Sequence, residues 1–313
     1  MKKALSIGLT VVMSLAMFIT CMGGTIAFAA EKKIVVGYAA LSLNNLFIKT
    51  LSDALEERGR EAGVDVITSD GQDNIERQVG QIEDFIARGV DVIILNPTDA
   101  EGLNSSVDAC KTAGIPLILV NTTTTNTDYT CFVGSANEES GIIQGEFLAK
   151  YFKGKDEVNT VILHGPFGHS AQIGRYDGLS GTFLNQPGVK VLAEQAGNWK
   201  REEGMRIMED WLQKYPKIDC LASQNDEMAL GALEAIKAAG RLDEITVVGI
   251  DALPDANAAV RKGEMAATVY QDAVGQGKGA IDMAVKAAKG EAIPKEHMIP
   301  YILVTLDNVS EYE

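Results

Sequence analysis

Ten side chains share one kind of position. Asn45, Phe47, Asn96, Asn121, Ser135, Arg175, Trp199, Asn225, Asp251 and Gln271 each follow a short apolar run, just where a helix-like segment or a loop begins. Asn44, Asp99, Asn137 and Asp226 stand beside them. In open parallel sheets, ligands bind beyond the carboxyl ends of the strands, so this is where chemistry is expected. The set holds amides, one hydroxyl, one guanidinium, one carboxylate and two aromatics. Planar amides, carboxylates and guanidinium exchange pairs of hydrogen bonds with vicinal hydroxyls, and aromatic faces cover the C–H side of a sugar ring. The mixture suits a small polyhydroxylated ligand.

Each member also has a plainer reading. Asn44, Asn96 and Asp226 are good helix caps. Phe47 and Trp199 are ordinary core material, and Arg175 an ordinary surface residue. The stretch SQNDEMALGALEAI, residues 223–236, poses the choice most sharply. Asp226 or Gln224 is expected to cap the helix, MALGALEAI to pack it, and Asn225 to hold a ligand hydroxyl. The argument for a site is the convergence of all ten on one end of the strands.

Signatures of catalysis are thin. His164, His169 and His297 are the three histidines, and they show no metal-ligand spacing. His164 and His169 lie in or beside a Gly-rich loop. There is no G-x-S-x-G elbow and no phosphate-binding G-x-x-x-x-G-K-[ST] loop. GQGKG (275–279) falls in a predicted helix and reads as a small-residue packing face. No catalytic residue, metal or cofactor is expected.

Short β-branched runs, which must position these residues, alternate with longer amphipathic segments. KIVVGYAAL, VDVITSD, DVIILNP, IPLILVN and CFVGS form one series; TVILHGP, VKVLAEQ, KIDCLAS, ITVVGI and ATVYQ form a second. Near-continuous apolar strands alternating with helices indicate α/β architecture with parallel sheets covered on both faces. Gly63, Gly89, Gly114 and Gly240 are placed as C-terminal helix caps. The restart near residue 135 predicts two lobes, and no linker tract separates them.

The first 29 residues stand apart. MKK, an uncharged apolar run from Ala4 to Thr20 and the small-residue site Ala27-Phe28-Ala29 make a secretory signal. The competing readings are an uncleaved anchor, since the run is long enough to span a bilayer, and a lipid anchor at Cys21. Phe18-Ile19-Thr20 matches poorly the Leu-x-small pattern that precedes a lipidated cysteine. The expected location is periplasmic, cell-surface or extracellular. The whole chain has 28 basic and 43 acidic residues, a net charge of −15; removing Lys2 and Lys3 with the leader makes it −17. Such a surface repels phosphate backbones and anionic lipid, so nucleic acid is not an expected partner. Cys110, Cys131 and Cys220 remain, far apart and in apolar surroundings, and read as small buried hydrophobes rather than a disulfide framework.

SLNNLF after the first strand, LNPTD after the third, QNDEMALGAL, VVGID followed by Pro-Asp, and ATVYQ occur in this order. Together they resemble the ribose-binding family, the solute-binding components of bacterial sugar ABC transporters, over essentially the whole mature chain. QNDEMALGAL is the most specific match. Lactose-repressor-type regulators share the fold, but an export signal stands where their helix-turn-helix would be.

The resemblance implies two Rossmann-like lobes of the type I periplasmic binding protein fold, one over 30–135 with 272–302, the other over 136–271 with 303–313. The crossings between them are expected near Ser135, Gln271 and Ile302. It assigns Asn45, Phe47, Asn96 and Ser135 to first-lobe contacts, and Arg175, Trp199, Asn225, Asp251 and Gln271 to the second lobe and hinge. Trp199 stands where ribose binders carry Phe. Asn121-Thr122 replaces their Asp-Arg, which removes two charges and a bidentate donor. Ile48 and Ile250 replace aromatics. Ribose is therefore only one candidate beside other pentoses, hexoses and polyols.

The expected function is a monomeric, non-catalytic receptor that captures a monosaccharide or polyol by hinge closure and delivers it to a permease. The alternative is a sugar sensor of the same fold that docks a chemoreceptor or sensor kinase. A neighbouring permease and ATPase in the gene context separates the first from the second. Turnover of a sugar by purified protein separates both from an α/β enzyme.

Overall fold

The computed structural model describes residues 33–312; the leader read over residues 1–29, with Cys21, lies outside them. A period of two builds the first sheet. In β1 (Val35–Ala40), Val36, Tyr38 and Ala40 face one core while Ala39 faces another. β3 (Val92–Leu95) divides Val92 and Ile94 from Ile93 and Leu95 in the same way, and β4 (Leu117–Val120) divides Ile118 and Val120 from Leu117 and Leu119. Both faces of these strands meet helices, which is why they read as unbroken apolar runs. One layer is α1 (Leu46–Ala62) with α9 (Ala273–Ala288), the other α2 (Ile75–Arg88) with α3 (Asn104–Ala113). With β2 (Asp65–Asp70), β5 (Cys131–Gly134) and β11 (Glu296–Met298), the order is β11-β5-β4-β3-β1-β2, every pair parallel.

The second sheet has the order β7-β6-β8-β9, again parallel, from β6 (Val158–His164), β7 (Val189–Ala196), β8 (Cys220–Ser223) and β9 (Thr246–Val248). On one face lie α6 (Arg201–Lys214), α7 (Asp226–Ala238) and α8 (Pro254–Arg261). On the other lie α4 (Asn137–Tyr151) and α5 (Ser170–Leu179). β10 (Thr268–Tyr270) continues beside β9 and pairs antiparallel with β12 (Ile302–Val304). The chain thus passes between the two sheets three times: after β5, between β10 and α9, and between β11 and β12.

The ten strands expected from the two series are all present. The short β11 and β12 were not legible, since EHM is exposed and ILV only partly buried. β7 departs from the unbroken-apolar expectation because it is an edge strand, half open to solvent. Gly63, Gly89 and Gly114 end their helices with φ near +70°, as C-caps. In α7 the cap is Ala239, and Gly240 takes the left-handed position one residue later. Cys110, Cys131 and Cys220 are buried and unpaired. The GQGKG glycines do serve packing: a Cβ on Gly277 would stand 2.3 Å from the Leu51 carbonyl of α1.

Candidate functional site

Loops and helix starts at the carboxyl ends of both sheets enclose one cavity, lined by Leu41, Asn45, Phe47, Ile48, Asn121, His169, Ala171, Arg175, Trp199, Asn225, Asp251 and Gln271. Eight of the ten residues expected from sequence are brought together there. Asn96 and Ser135 are not. Asn96 is fully buried and its amide donates to Val120 O (3.1 Å) and Thr122 Oγ1 (2.8 Å), so it braces the turn after β4. Ser135 is buried in the hinge and accepts from Gln276 Nε2 at 3.2 Å. Gln276 in turn accepts from Asn121 Nδ2 at 3.1 Å. Both residues therefore support Asn121 rather than the cavity surface. Strand-end position alone does not distinguish a lining side chain from one turned back into the hinge.

Arg175 is the centre of the site. It is buried on α5, and its ring-facing neighbour is Trp199, whose ring centroid lies 5.5 Å from the guanidinium carbon. Nη1 donates to the Gln224 carbonyl, Nη2 donates to Gln271 Oε1 at 2.9 Å, and Asp251 Oδ1 lies 3.6 Å away. The surface reading of Arg175 does not apply. Its position is set by two glycines in the α4–α5 contact. A Cβ on Gly141 would stand 2.1 Å from the Arg175 carbonyl, and one on Gly178 2.2 Å from the Glu138 carbonyl.

Asn225 corrects the expected division of labour around 224–226. It is the N-cap of α7, its Oδ1 accepting from Met228 N at 3.0 Å while Nδ2 donates to Trp199 O at 3.3 Å. Gln224 bridges Gly165 N and the Gln172 carbonyl. Asp226 accepts from Thr268 Oγ1 (2.7 Å) and Leu253 N (2.9 Å). Neither caps the helix; Asn225 both caps it and lines the cavity. Asn45 does the same for α1, accepting from Ile48 N at 3.1 Å.

His169 is the polar lining residue that sequence reasoning passed over. The imidazole lies between β6 and α5, at a strand's carboxyl end like the other lining residues, although the three histidines show no metal-ligand spacing. Nδ1 accepts from Ala171 N at 3.3 Å, so the neutral ring carries its proton on Nε2, which has no partner. Burial, followed by the nearby Arg175 charge, pushes its pKa down to about 3. The ring meets Trp199 edge-on, with centroids 5.4 Å apart. Leu41 and Ala171 carry no chemical signal and were not foreseeable.

Electrostatically the site holds one guanidinium beside two buried carboxylates. Burial raises Asp251 well above the usual carboxylate range, against the pull of Arg175, and raises Asp226 to about 6. Several lining residues hold left-handed backbone: Asn121 at φ +65°, Trp199 at +63° and Asp251 at +127°. Non-glycine residues persist there only where surrounding structure over-determines them, and such positions cluster at ligand clamps.

Two parallel α/β lobes with a polar cavity between the carboxyl ends of their strands define a two-lobed solute receptor. The chain belongs to the periplasmic binding protein domain family, whose profile matches residues 36–292. It is 36% identical over 286 residues to the putative rhizopine-binding protein of Rhizobium meliloti, covering 89% of this chain and 92% of that protein. Against the ribose import binding protein of Salmonella typhimurium it is 30% identical over 283 residues, covering 90% and 94%. Among solved structures, an ABC transporter solute binding protein from Bacillus halodurans with bound myo-inositol shares 41% identity and a TM-score of 0.86, covering 90% of this chain and 97% of that one. The family is one of solute-binding transport proteins, and its periplasmic members support an exported location. Among the described residues no helix is long and apolar enough to cross a membrane.

Proposed function

We propose that this chain is the extracytoplasmic receptor of an ABC importer, capturing a monosaccharide or polyol between its lobes and presenting it, as a monomer, to a permease. The observation that carries this reading is a set of unmatched donors. Arg175 Nε, Gln271 Nε2 and His169 Nε2 are buried without partners, and all three residues line one cavity together with the Asp251 carboxylate. Buried polar groups are normally hydrogen-bonded, so a group of orphans around one space calls for oxygens supplied from outside. Ligand hydroxyls can accept from these nitrogens and donate to Asp251, with Trp199 and Phe47 against the C–H faces.

Capture needs no chemistry on the ligand. Contacts come from both sheets and are complete only when the lobes approach, so binding shifts the population toward the closed form. The lobes that move are the bodies built on the two sheets, with the expected boundaries 30–135 with 272–302 and 136–271 with 303–313, except that Ile302 pairs with Tyr270 and so goes with the second lobe. The named ligands of the relatives support a pentose, a linear polyol or a cyclitol as first candidates.

The test is the melting temperature of the purified protein against myo-inositol, D-ribose, xylitol, D-allose and L-arabinose. A ligand that binds only the folded state raises it by mass action. A saturable rise with at least one compound is expected; no shift with any sugar or polyol overturns the reading.

A further inference from the structure

A second cavity, of about 330 Å³, lies outside the first and shares Asn45 and Trp199 with it as a common wall. The inner cavity is the tighter of the two. The outer space has room for a further ring-sized group. Both lobes build it: Leu46 and Asp73 come from the first, Asn198, Lys200 and Glu202 from the second. Asp73 lines it beside Ser42, across from Lys200 of the opposite lobe. Arg201 is not available to a ligand in the same way, because Glu227 (2.8 Å) and Asp255 (3.0 Å) already hold its Nη2.

The lining has both signs of charge and amides, and its apolar side chains are Leu46 and Trp199. Such a lining accepts a hydroxylated group and rejects an aliphatic or aromatic one, which would leave these charges without water. The turns that frame it are held in left-handed backbone on both sides, Asp73 at φ +56° and Asn198 at +54°.

Resting on the receptor reading above, we propose that the protein accepts a two-unit ligand: a polyhydroxylated ring in the inner cavity, and a second hydroxylated unit, joined through an ether oxygen, in the outer one. The shared wall at Asn45 and Trp199 places the linkage, so only ring hydroxyls facing that wall can carry the substituent.

The test is calorimetric titration of the whole protein with myo-inositol, D-ribose and D-galactose and with their O-galactosyl derivatives at each ring hydroxyl. For the parent that binds, at least one derivative is expected to bind within about tenfold of it. Leu46→Trp and Glu202→Trp fill the outer cavity from opposite lobes. Each is expected to weaken that derivative by about tenfold or more and the parent by no more than about twofold. All derivatives binding more than about tenfold weaker than the parent overturns the proposal, as does equal weakening of parent and derivative by both tryptophans. Absence of binding by every parent overturns the receptor reading itself and so separates the two failures.

Discussion

Arg175 Nη2 donates to Gln271 Oε1 over 2.9 Å, and through this bond α5 is tied to the crossing that follows β10. Gln271 lies in that crossing, between β10 and α9, so the guanidinium reaches from the cavity to the segment that joins the two lobes. Replacing Arg175 by Ala leaves Asp251 and Gln271 without their partner and removes a donor from the cavity. Ligand affinity is expected to fall by about 2–4 kcal/mol. Arg175→Lys should restore less than half of the loss, because an ammonium cannot reproduce the planar fork that serves Gln224, Gln271 and a ligand oxygen together. Calorimetry with the ligand found in the melting panel decides this, and near-wild-type affinity in Arg175→Ala would remove Arg175 from the site.

The fold was legible because its signals are local and repeated. Runs such as VIIL and LILV carry their two-sided burial in composition, and Gly63, Gly89 and Gly114 carry their helix ends in the φ that only glycine adopts cheaply. The site was legible in outline, since the topology rule places ligand contacts at strand ends. It failed where position and direction part. Asn96 and Asn121 both follow a strand, yet only Asn121 lines the cavity, because Thr122 and Val120 hold the Asn96 amide inside the turn. At Asn225 the helix cap and the cavity-lining residue are one side chain.

His169 makes stability depend on pH in a definite direction. Its folded pKa is depressed to about 3 from an ordinary 6.5, so the unfolded chain takes up a proton that the folded chain refuses. The stability it contributes is complete above pH 6.5 and is lost as pH falls toward 3. Between pH 6.5 and 5 the loss amounts to about 2 kcal/mol. Asp226, raised to about 6, acts in the opposite sense over part of this window, stabilising the fold as it protonates. In His169→Phe the Asp226 contribution remains and the histidine contribution disappears. Urea unfolding at pH 7 and pH 5 should therefore show the wild type losing about 2 kcal/mol more than the variant across that interval. Equal losses would mean that the imidazole is not held neutral.

Closure has a second set of bonds away from the ligand. Ala100 N donates to the Gly168 carbonyl at 3.2 Å, and Thr123 N donates to Ser170 Oγ at 3.0 Å. They join the first lobe to the loop before α5 and to the first residue of α5, on either side of His169. Ser170→Ala removes one of these bonds without altering the cavity lining. Affinity is expected to weaken by about 0.5–1.5 kcal/mol, and by the same factor for every ligand, because the bond belongs to the closed form and not to ligand recognition. Affinities for two chemically different ligands, measured in wild type and variant, check this; a change in their ratio would place Ser170 among the specificity residues instead.

Two Gly→Ala substitutions in helices should have opposite signs. Gly80 lies within α2, where an added Cβ meets nothing within 4 Å. Alanine there should stabilise the protein by about 0.5–1 kcal/mol, through helix propensity alone, and leave binding unchanged. Gly141 lies within α4, where the same Cβ would stand 2.1 Å from the Arg175 carbonyl and 2.9 Å from Leu179 N. Backbone cannot rotate out of the way as a side chain can, so α5 must shift. Overpacking of this kind costs about 1–3 kcal/mol, more than the propensity gain. The displaced atom belongs to Arg175, so the damage should extend to function: ligand affinity should fall by about tenfold or more under conditions where circular dichroism shows the variant folded. Gly141→Ala binding ligand like wild type would show that α5 adapts without moving the guanidinium.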